Sequence, residues 1–188
     1  MKKNIYYSLL ISAMVSVSVA EETRQVDKHE HGVGELNIAI EGNAIDFEFF
    51  IPGADIVGFE YEAKTESDIA LVNAALEKFG NFDNIFSLPE SSNCNLVNSE
   101  IGVNQDDNHD EHDDHDDHDD HDEEAHNEFV AHYSFNCENI KEIDRISFPY
   151  FTNFPNSGEL EVQFVSEKGS TGFEVEGDEP FIDLKGKI

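Results

Sequence analysis

Histidines recur at every third position over residues 109–121, and aspartate fills almost every position between them. Neutral imidazole is a good ligand for zinc, copper or nickel, and neighbouring carboxylates can ligate the ion, orient the imidazoles or attract the cation. A three-residue spacing drifts around a helix of about 3.6 residues per turn, and Asp is a poor helix former, so the row indicates a flexible chelating segment. Its histidines are His109, His112, His115, His118 and His121, and His126 follows them.

Other interpretations of this segment do not involve transition metals. A solvated acidic run would keep the chain soluble, an acidic loop could bind a basic partner, and carboxylates could bind calcium. The calcium-loop pattern D-x-[DN]-x-[DN]-G does not occur in the sequence, and the fixed histidine spacing favours metal capture. Zn²⁺ is the expected ion because it accepts four such ligands with little geometric preference, and we expect several exchangeable ions.

A second group of residues is a candidate for a folded metal site. His29 and His31 are separated by one residue, and on an extended chain positions i and i+2 project to the same side, where two imidazoles can share an ion. His132 lies on a predicted strand after the histidine row, and Glu60 is a candidate carboxylate ligand. Two alternatives stay open, because the His-x-His pair also suits an exposed polar terminus and a lone strand histidine is commonly a surface residue.

The charge of the chain excludes several classes of partner. Its 188 residues carry 11 Lys plus Arg against 42 Asp plus Glu, which gives a formal net charge of −31. Such a polyanion is repelled by phosphate backbones and anionic membrane surfaces, so we expect no nucleic-acid binding. The motifs H-E-x-x-H and G-x-S-x-G and a Gly-rich phosphate loop are missing from the sequence, so we expect a binding protein and no enzyme.

Alternating apolar residues predict the strands that must position these groups. Residues 33–40 and 44–51 are typical of a β-hairpin around the turn formers at 41–43. Further strands are predicted at 94–103, 128–137, 144–148, 159–166 and 171–176. With one main helix, residues 21–188 should form a single α+β domain built on a mostly antiparallel sheet or sandwich.

The main helix is predicted between Thr65 and Gly80. Thr65 with Asp68 resembles a capping box, and Gly80 is a typical helix end. Ile69, Val72, Leu76 and Phe79 recur at helical spacing and are expected to face the core.

Residues 104–127 contain no large apolar residue and are dominated by acidic side chains. Such a segment cannot bury enough surface to offset the entropy of ordering it, so we expect a disordered insertion between two paired strands. Cys94 and Cys137 lie on the strands that flank it. In an oxidising compartment they most simply form a disulfide that clamps the base of the insertion, and a thiolate metal site is the alternative.

The first twenty residues are typical of a secretory signal. Lys2 and Lys3 precede an uncharged, largely apolar stretch at 5–19, and Ser18, Val19 and Ala20 form a small-residue exit before two glutamates. We expect cleavage after Ala20 and a soluble protein in the periplasm, with an uncleaved anchor helix as the alternative. No apolar run of membrane-spanning length follows, so no span is expected in the mature chain.

Several sequence blocks together resemble the ZrgA family of periplasmic zinc-uptake proteins. They cover nearly all of the chain after residue 20, and their order is more specific than any one of them. The blocks are HEHGVGELNIAIEGN at 29–43, IPGADIVGFEYEAKTESD at 51–68, FSLPESSNCNLVNSE at 86–100, the His/Asp insertion, AHYSFNC at 131–137 and FPYFTNFPNSGELEVQFVSEKGS at 148–170.

The resemblance implies zinc capture in the periplasm of a Gram-negative bacterium and support of import through an inner-membrane transport system. His29 and His31 match the family's N-terminal His-x-His, residues 109–126 match its variable His-rich loop, and the two cysteines match its cysteine pair. Many relatives have His where this chain has Tyr61, so no metal role is implied for that position. A buffer for zinc, copper or nickel that feeds no transporter is the alternative function.

Overall fold

Strand alternation produces one large sheet with a buried face and an open face. The structure is a computed structural model that describes residues 32–105 and 127–188. The predicted signal segment, His29, His31 and the histidines at 109–126 lie outside these residues. The described strands form a six-stranded sheet of order β3-β4-β2-β1-β6-β7 and a two-stranded sheet of β5 and β8.

Eight strands and three short or medium helices make up the described part of the chain. The strands are β1 (Val33–Glu41), β2 (Ala44–Pro52), β3 (Cys94–Gln105), β4 (Asn127–Cys137), β5 (Arg145–Ser147), β6 (Glu159–Ser166), β7 (Gly169–Glu176) and β8 (Phe181–Asp183). The helices are α1 (Gly53–Val57), α2 (Glu66–Phe79) and α3 (Tyr150–Asn153), with single 3-10 turns at Phe82–Asn84, Glu90–Ser92 and Ile140–Glu142. The predicted α+β class is confirmed.

The strands β3 and β4 extend further than the sequence indicated. Asn104 and Gln105 still belong to β3, Asn127 opens β4, and Gln105 pairs with Asn127 across the ladder. Residues at both ends of the predicted insertion are therefore strand residues, and the remaining segment, 106–126, lies outside the described residues.

One pair of neighbouring strands is parallel in this sheet. β1 pairs antiparallel with β2 through the two-residue turn at Gly42 and Asn43, where Gly42 adopts a φ of 59°. On its other side β1 pairs parallel with β6, from Val33 opposite Glu159 to Ala39 opposite Val165. The sheet is therefore mixed, and β6 reaches its place through the long crossover that contains β5 and α3.

The buried face of the sheet is dominated by phenylalanine. Phe47 and Phe49 on β2 and Phe135 on β4 point inwards and pack around Phe86, which stacks on Phe47 with ring centroids 4.1 Å apart. The alternation predicted for β1, β2 and β4 is confirmed, since every second side chain is buried along these strands. The opposite face of the six-stranded sheet stays exposed to solvent.

Helix α2 packs through its second half. The Thr65 hydroxyl accepts a hydrogen bond from Asp68 N at 3.2 Å, as predicted, and Phe79 is buried. The prediction that Ile69 faces the core is wrong, because its side chain is 45% exposed. The contacts of this helix with the core begin at Val72, which is half-buried like Leu76, and only Ala75 and Phe79 become fully buried, so Ile69 precedes the part of the helix that packs.

Replacement of Tyr133 by Phe is expected to destabilise the fold by about 1–2 kcal/mol. The Tyr133 hydroxyl is buried and donates to Phe79 O at 2.6 Å, where it satisfies a carbonyl at the end of α2. Burial also raises the pKa of Tyr133 well above its usual range, so the hydroxyl stays a donor at all ordinary pH values. Urea unfolding at pH 7 measures the change, with the exposed Tyr61→Phe as matched control. Equal stability of the two variants would contradict the assignment.

Candidate functional site

Four strand ends lie together at one edge of the sheet, and the sequence continues from them to the predicted metal ligands. β1 begins and β2 ends there, and so do the end of β3 and the start of β4. Pro52 lies opposite Glu128, and Gln105 lies opposite Asn127. We call this the loop edge, defined by Gly32, Pro52, Gln105 and Asn127. The chain enters it directly from His31 and, after the histidine row, from His126.

Gly32 is fixed at the loop edge by three hydrogen bonds. Its amide donates to Asp55 Oδ1 at 2.9 Å, and its carbonyl accepts from Gly158 N at 2.9 Å and from Glu159 N at 2.8 Å. Its φ is 90°, a left-handed conformation that suits glycine. The backbone position that precedes β1 and follows His31 in the sequence is therefore held in a defined place.

The carboxylate that holds Gly32 belongs to a buried polar cluster. Asp55 in α1 is only 3% exposed, and the Tyr150 hydroxyl shares a 2.6 Å hydrogen bond with Ser157 Oγ nearby. Burial raises the pKa of Tyr150, and the negative charge of Asp55 raises it further. The cluster joins α1, α3 and the start of β1, which ties the loop edge to the core.

Glu60 lies at the same edge, held by Asn127. Asn127 N donates to Glu60 O at 2.8 Å, and Asn127 Nδ2 donates to Tyr61 O at 3.1 Å. The Asn127 side chain is buried, and any side chain at Gly53 would overlap its Oδ1 atom. The structure therefore places the backbone of Glu60 beside the residue that follows His126 in the sequence.

His132 lies elsewhere, on the open face of the sheet. It is five residues into β4 from Asn127, which corresponds to about 16 Å along the strand. Its neighbours in register are Glu48 on β2 and Glu100 on β3. The structure thus separates His132 from Glu60, although the sequence allowed both to serve one folded site.

The polar contacts of His132 do not form a catalytic triad. Its Nε2 lies 3.6 Å from Asp46 Oδ1 and 3.4 Å from Ser134 Oγ, and Ser134 Oγ donates to the same Asp46 oxygen at 2.5 Å. A nucleophilic serine would need His to accept its proton while the carboxylate held the other ring nitrogen. Within residues 32–105 and 127–188, no group of three or more His, Cys, Asp or Glu side chains is arranged to hold a metal ion.

The predicted disulfide is present but lies far from the insertion. Cys94 and Cys137 are bonded and face each other as the first residue of β3 and the last of β4. The insertion connects the other ends of these strands, about 36 Å away along the twelve-residue β3. The expectation that the disulfide clamps the base of the insertion is wrong, because it closes the far end of the hairpin.

A family model described as a ZrgA family zinc uptake protein matches residues 28–184. The match runs from just before His29 almost to the end of the chain and includes the whole sheet. The chain belongs to the ZrgA family. Its role is therefore zinc-related, and the family is described as one of zinc uptake proteins. A comparison with curated proteins gave no match.

No helix in the part of the chain that the structure describes has the length and apolar character needed to cross a bilayer.

Sequence reasoning named Glu60, His132 and the cysteines but missed Asp55 and Asn127, which fix the loop edge. Neither residue belongs to a repeated motif. The sequence signal was their position, since Asp55 comes three residues after the end of β2 and Asn127 directly follows His126.

Proposed function

We propose that this ZrgA family protein captures Zn²⁺ in the periplasm and supports its import through an inner-membrane transport system. The family match over residues 28–184 carries this proposal. The secretory character of residues 1–20, with cleavage after Ala20, and the Cys94–Cys137 disulfide fit an oxidising compartment.

We propose two kinds of zinc site in this chain, one of high capacity and one of higher affinity at the loop edge. Histidines at 109–126 form a high-capacity capture segment, whereas His29, His31 and Glu60 form a tighter site. Support comes from the hydrogen bonds that fix Gly32 next to His31 and Glu60 next to Asn127. A fixed attachment lowers the entropy that ligands lose when they close around an ion, which favours affinity.

His132 is proposed as a separate and weaker position. It offers one imidazole with the Asp46 carboxylate 3.6 Å away, so solvent would have to supply the remaining ligands. Because His132 and Glu60 are far apart, loss of His132 should leave the tighter site unchanged.

The variant His29→Ala/His31→Ala is expected to lose the tightest zinc-binding component, with an affinity decrease of at least about a hundredfold, because a tetrahedral ion loses two imidazoles. Competitive titration against a chromophoric chelator measures the affinity and the number of ions. The matched control, His112→Ala/His115→Ala, removes two histidines from the capture segment and should retain the tight component. Equal tight affinity in the wild type and the His29/His31 variant would contradict the proposed site.

Gene expression separates uptake from buffering. Induction by zinc starvation, together with poor growth of the deletion strain when other zinc importers are removed, supports uptake. Induction by an excess of zinc, copper or nickel, with normal growth in starvation, would contradict it and favour a metal buffer.

A further inference from the structure

The open face of the six-stranded sheet carries acidic side chains on every strand and neither Lys nor Arg at its outward positions. Outward positions are those that alternate with the buried ones along each strand. The carboxylates there are Glu35, Glu41, Asp46, Glu48, Glu100, Glu128, Glu159, Glu161, Glu174 and Glu176. Described Lys and Arg residues lie elsewhere, at Lys64, Lys78, Lys141, Arg145, Lys168, Lys185 and Lys187.

Some of these carboxylates face each other directly. Glu35 on β1 pairs with Glu161 on β6, and Glu161 pairs with Glu174 on β7, so three glutamates form one row across three strands. Like charges in directly opposed positions destabilise a sheet. In the described residues, no Lys or Arg forms an ion pair with this row. Within the described residues this repulsion is not relieved, and a bound cationic group would relieve it.

A groove of about 750 Å³ lies along this row. Residues that line it include Glu35, Glu161 and Glu174, with Asn37 and Gln163 beside them. Gly172 faces Gln163 and opens the groove, since a Cβ atom at this position would meet nothing closer than Val162 O at 4.0 Å. The groove therefore combines a hydrogen-bonding floor, carboxylate walls and room for an incoming side chain.

We propose that this open face docks a Lys- or Arg-bearing surface of a partner protein, with one basic side chain entering the groove between Glu35, Glu161 and Glu174. The groove is independent of the proposed zinc sites, because none of their residues lines it. Charge complementarity selects the partner, and the six strands present a surface about 25 Å wide, which suits a protein better than a small cation.

Other occupants fit the face less well. Metal capture in the groove is disfavoured because the described residues include no group of three or more His, Cys, Asp or Glu side chains arranged to hold an ion. A second copy of the chain or its own acidic segment at 106–126 would bring like charges together. Nucleic acids and anionic membranes are repelled for the same reason.

The test is a titration of the ¹⁵N-labelled full-length chain with an octalysine peptide, followed by NMR. Each backbone amide gives its own isotherm, so binding at the face is separated from binding at residues 106–126. We expect saturable shifts centred on residues 35–37, 161–163 and 172–174 that weaken as salt is added. Shifts confined to residues outside the sheet would overturn the proposal.

Two variants separate charge from shape. Glu35→Gln/Glu161→Gln/Glu174→Gln removes the charges, and Gly172→Leu fills the groove without changing the charge. Each variant should weaken the octalysine affinity measured at the amides of the open face about tenfold. The matched control, Glu77→Gln/Glu90→Gln/Glu138→Gln, removes three exposed charges off the face and should stay within about twofold. Equal weakening in the face and control triples would overturn the proposal.

One further measurement tests the repulsion, and two others test the alternative occupants. Glu161→Gln alone should raise the Tm of the free protein by about 2 °C, because it removes two like-charge contacts. A decrease in Tm would show that the row is not under repulsion and would overturn the argument. Two other results would also overturn it. One is that Zn²⁺ or spermine saturates the shifts of the same amides at a lower concentration than octalysine does. The other is that sedimentation shows a dimer which Gly172→Leu abolishes.

Discussion

Replacement of both cysteines, Cys94→Ser/Cys137→Ser, is expected to lower the free energy of unfolding by about 4 kcal/mol. The bond joins residues separated by 43 positions, and a loop of this length restricts the unfolded chain strongly in the chain-entropy account. The folded state should change little, because the two cysteines already face each other in the β3–β4 ladder. Urea unfolding of the variant and of the reduced wild type measures the loss.

The position of the disulfide gives this experiment a second readout. Since the bond lies at the end of the hairpin away from the loop edge, zinc stoichiometry of the folded variant should equal that of the wild type. Shortening the enclosed loop by removal of residues 106–126 should reduce the contribution of the disulfide by only about 0.6 kcal/mol. A stability loss below about 1 kcal/mol would contradict the entropic account, and a fall in stoichiometry would link the disulfide to metal binding.

The sequence predicted individual strands well because the chemistry of each strand is local. On β2, Ile45, Phe47, Phe49 and Ile51 occupy alternate positions, and all four are buried. A period of two identifies the buried face without knowledge of the neighbours. The Thr65 cap was predictable for the same reason, since donor and acceptor lie three residues apart.

Strand neighbours were not predictable from alternation. β1 and β6 are separated by more than a hundred residues and pair in parallel, yet each shows the same pattern that an antiparallel strand would show. Ile69 illustrates the same limit in α2. Its spacing matches the core stripe, but how closely the first turns of the helix approach the sheet depends on tertiary packing, which spacing does not encode.

The geometry of the candidate site follows from the hairpin that carries the insertion. In an antiparallel hairpin the first residue of one strand meets the last residue of the next, so Cys94 and Cys137 meet at the end away from the connection. By the same rule Gln105 and Asn127 meet beside it. Residue types identified the candidate ligands, whereas strand lengths decided that Glu60 lies at the loop edge and His132 does not.

Replacement of residues 106–126 by an Asn-Gly turn is expected to preserve the fold and to remove most of the bound zinc. Gln105 and Asn127 are ladder partners, so a two-residue turn can join them without strain on either strand. Six of the nine histidines are removed with the segment. Stoichiometry should fall from several ions to one, and the free energy of unfolding should stay within about 1 kcal/mol, because closure entropy changes slowly with loop length.

A full-length variant separates imidazole from carboxylate binding in this segment. It replaces His109, His112, His115, His118, His121 and His126 by Asn and keeps all the acidic residues. If imidazoles capture the metal, this variant should bind as few ions as the shortened chain at 0.15 M salt, where loose attraction to carboxylates is screened. Retention of wild-type stoichiometry would assign capture to the carboxylates, and unfolding of the shortened chain would show that residues 106–126 are part of the fold. The expected result is that one tight ion remains in both variants and disappears with His29→Ala/His31→Ala. In that case zinc is held at the loop edge and the histidine row supplies capacity.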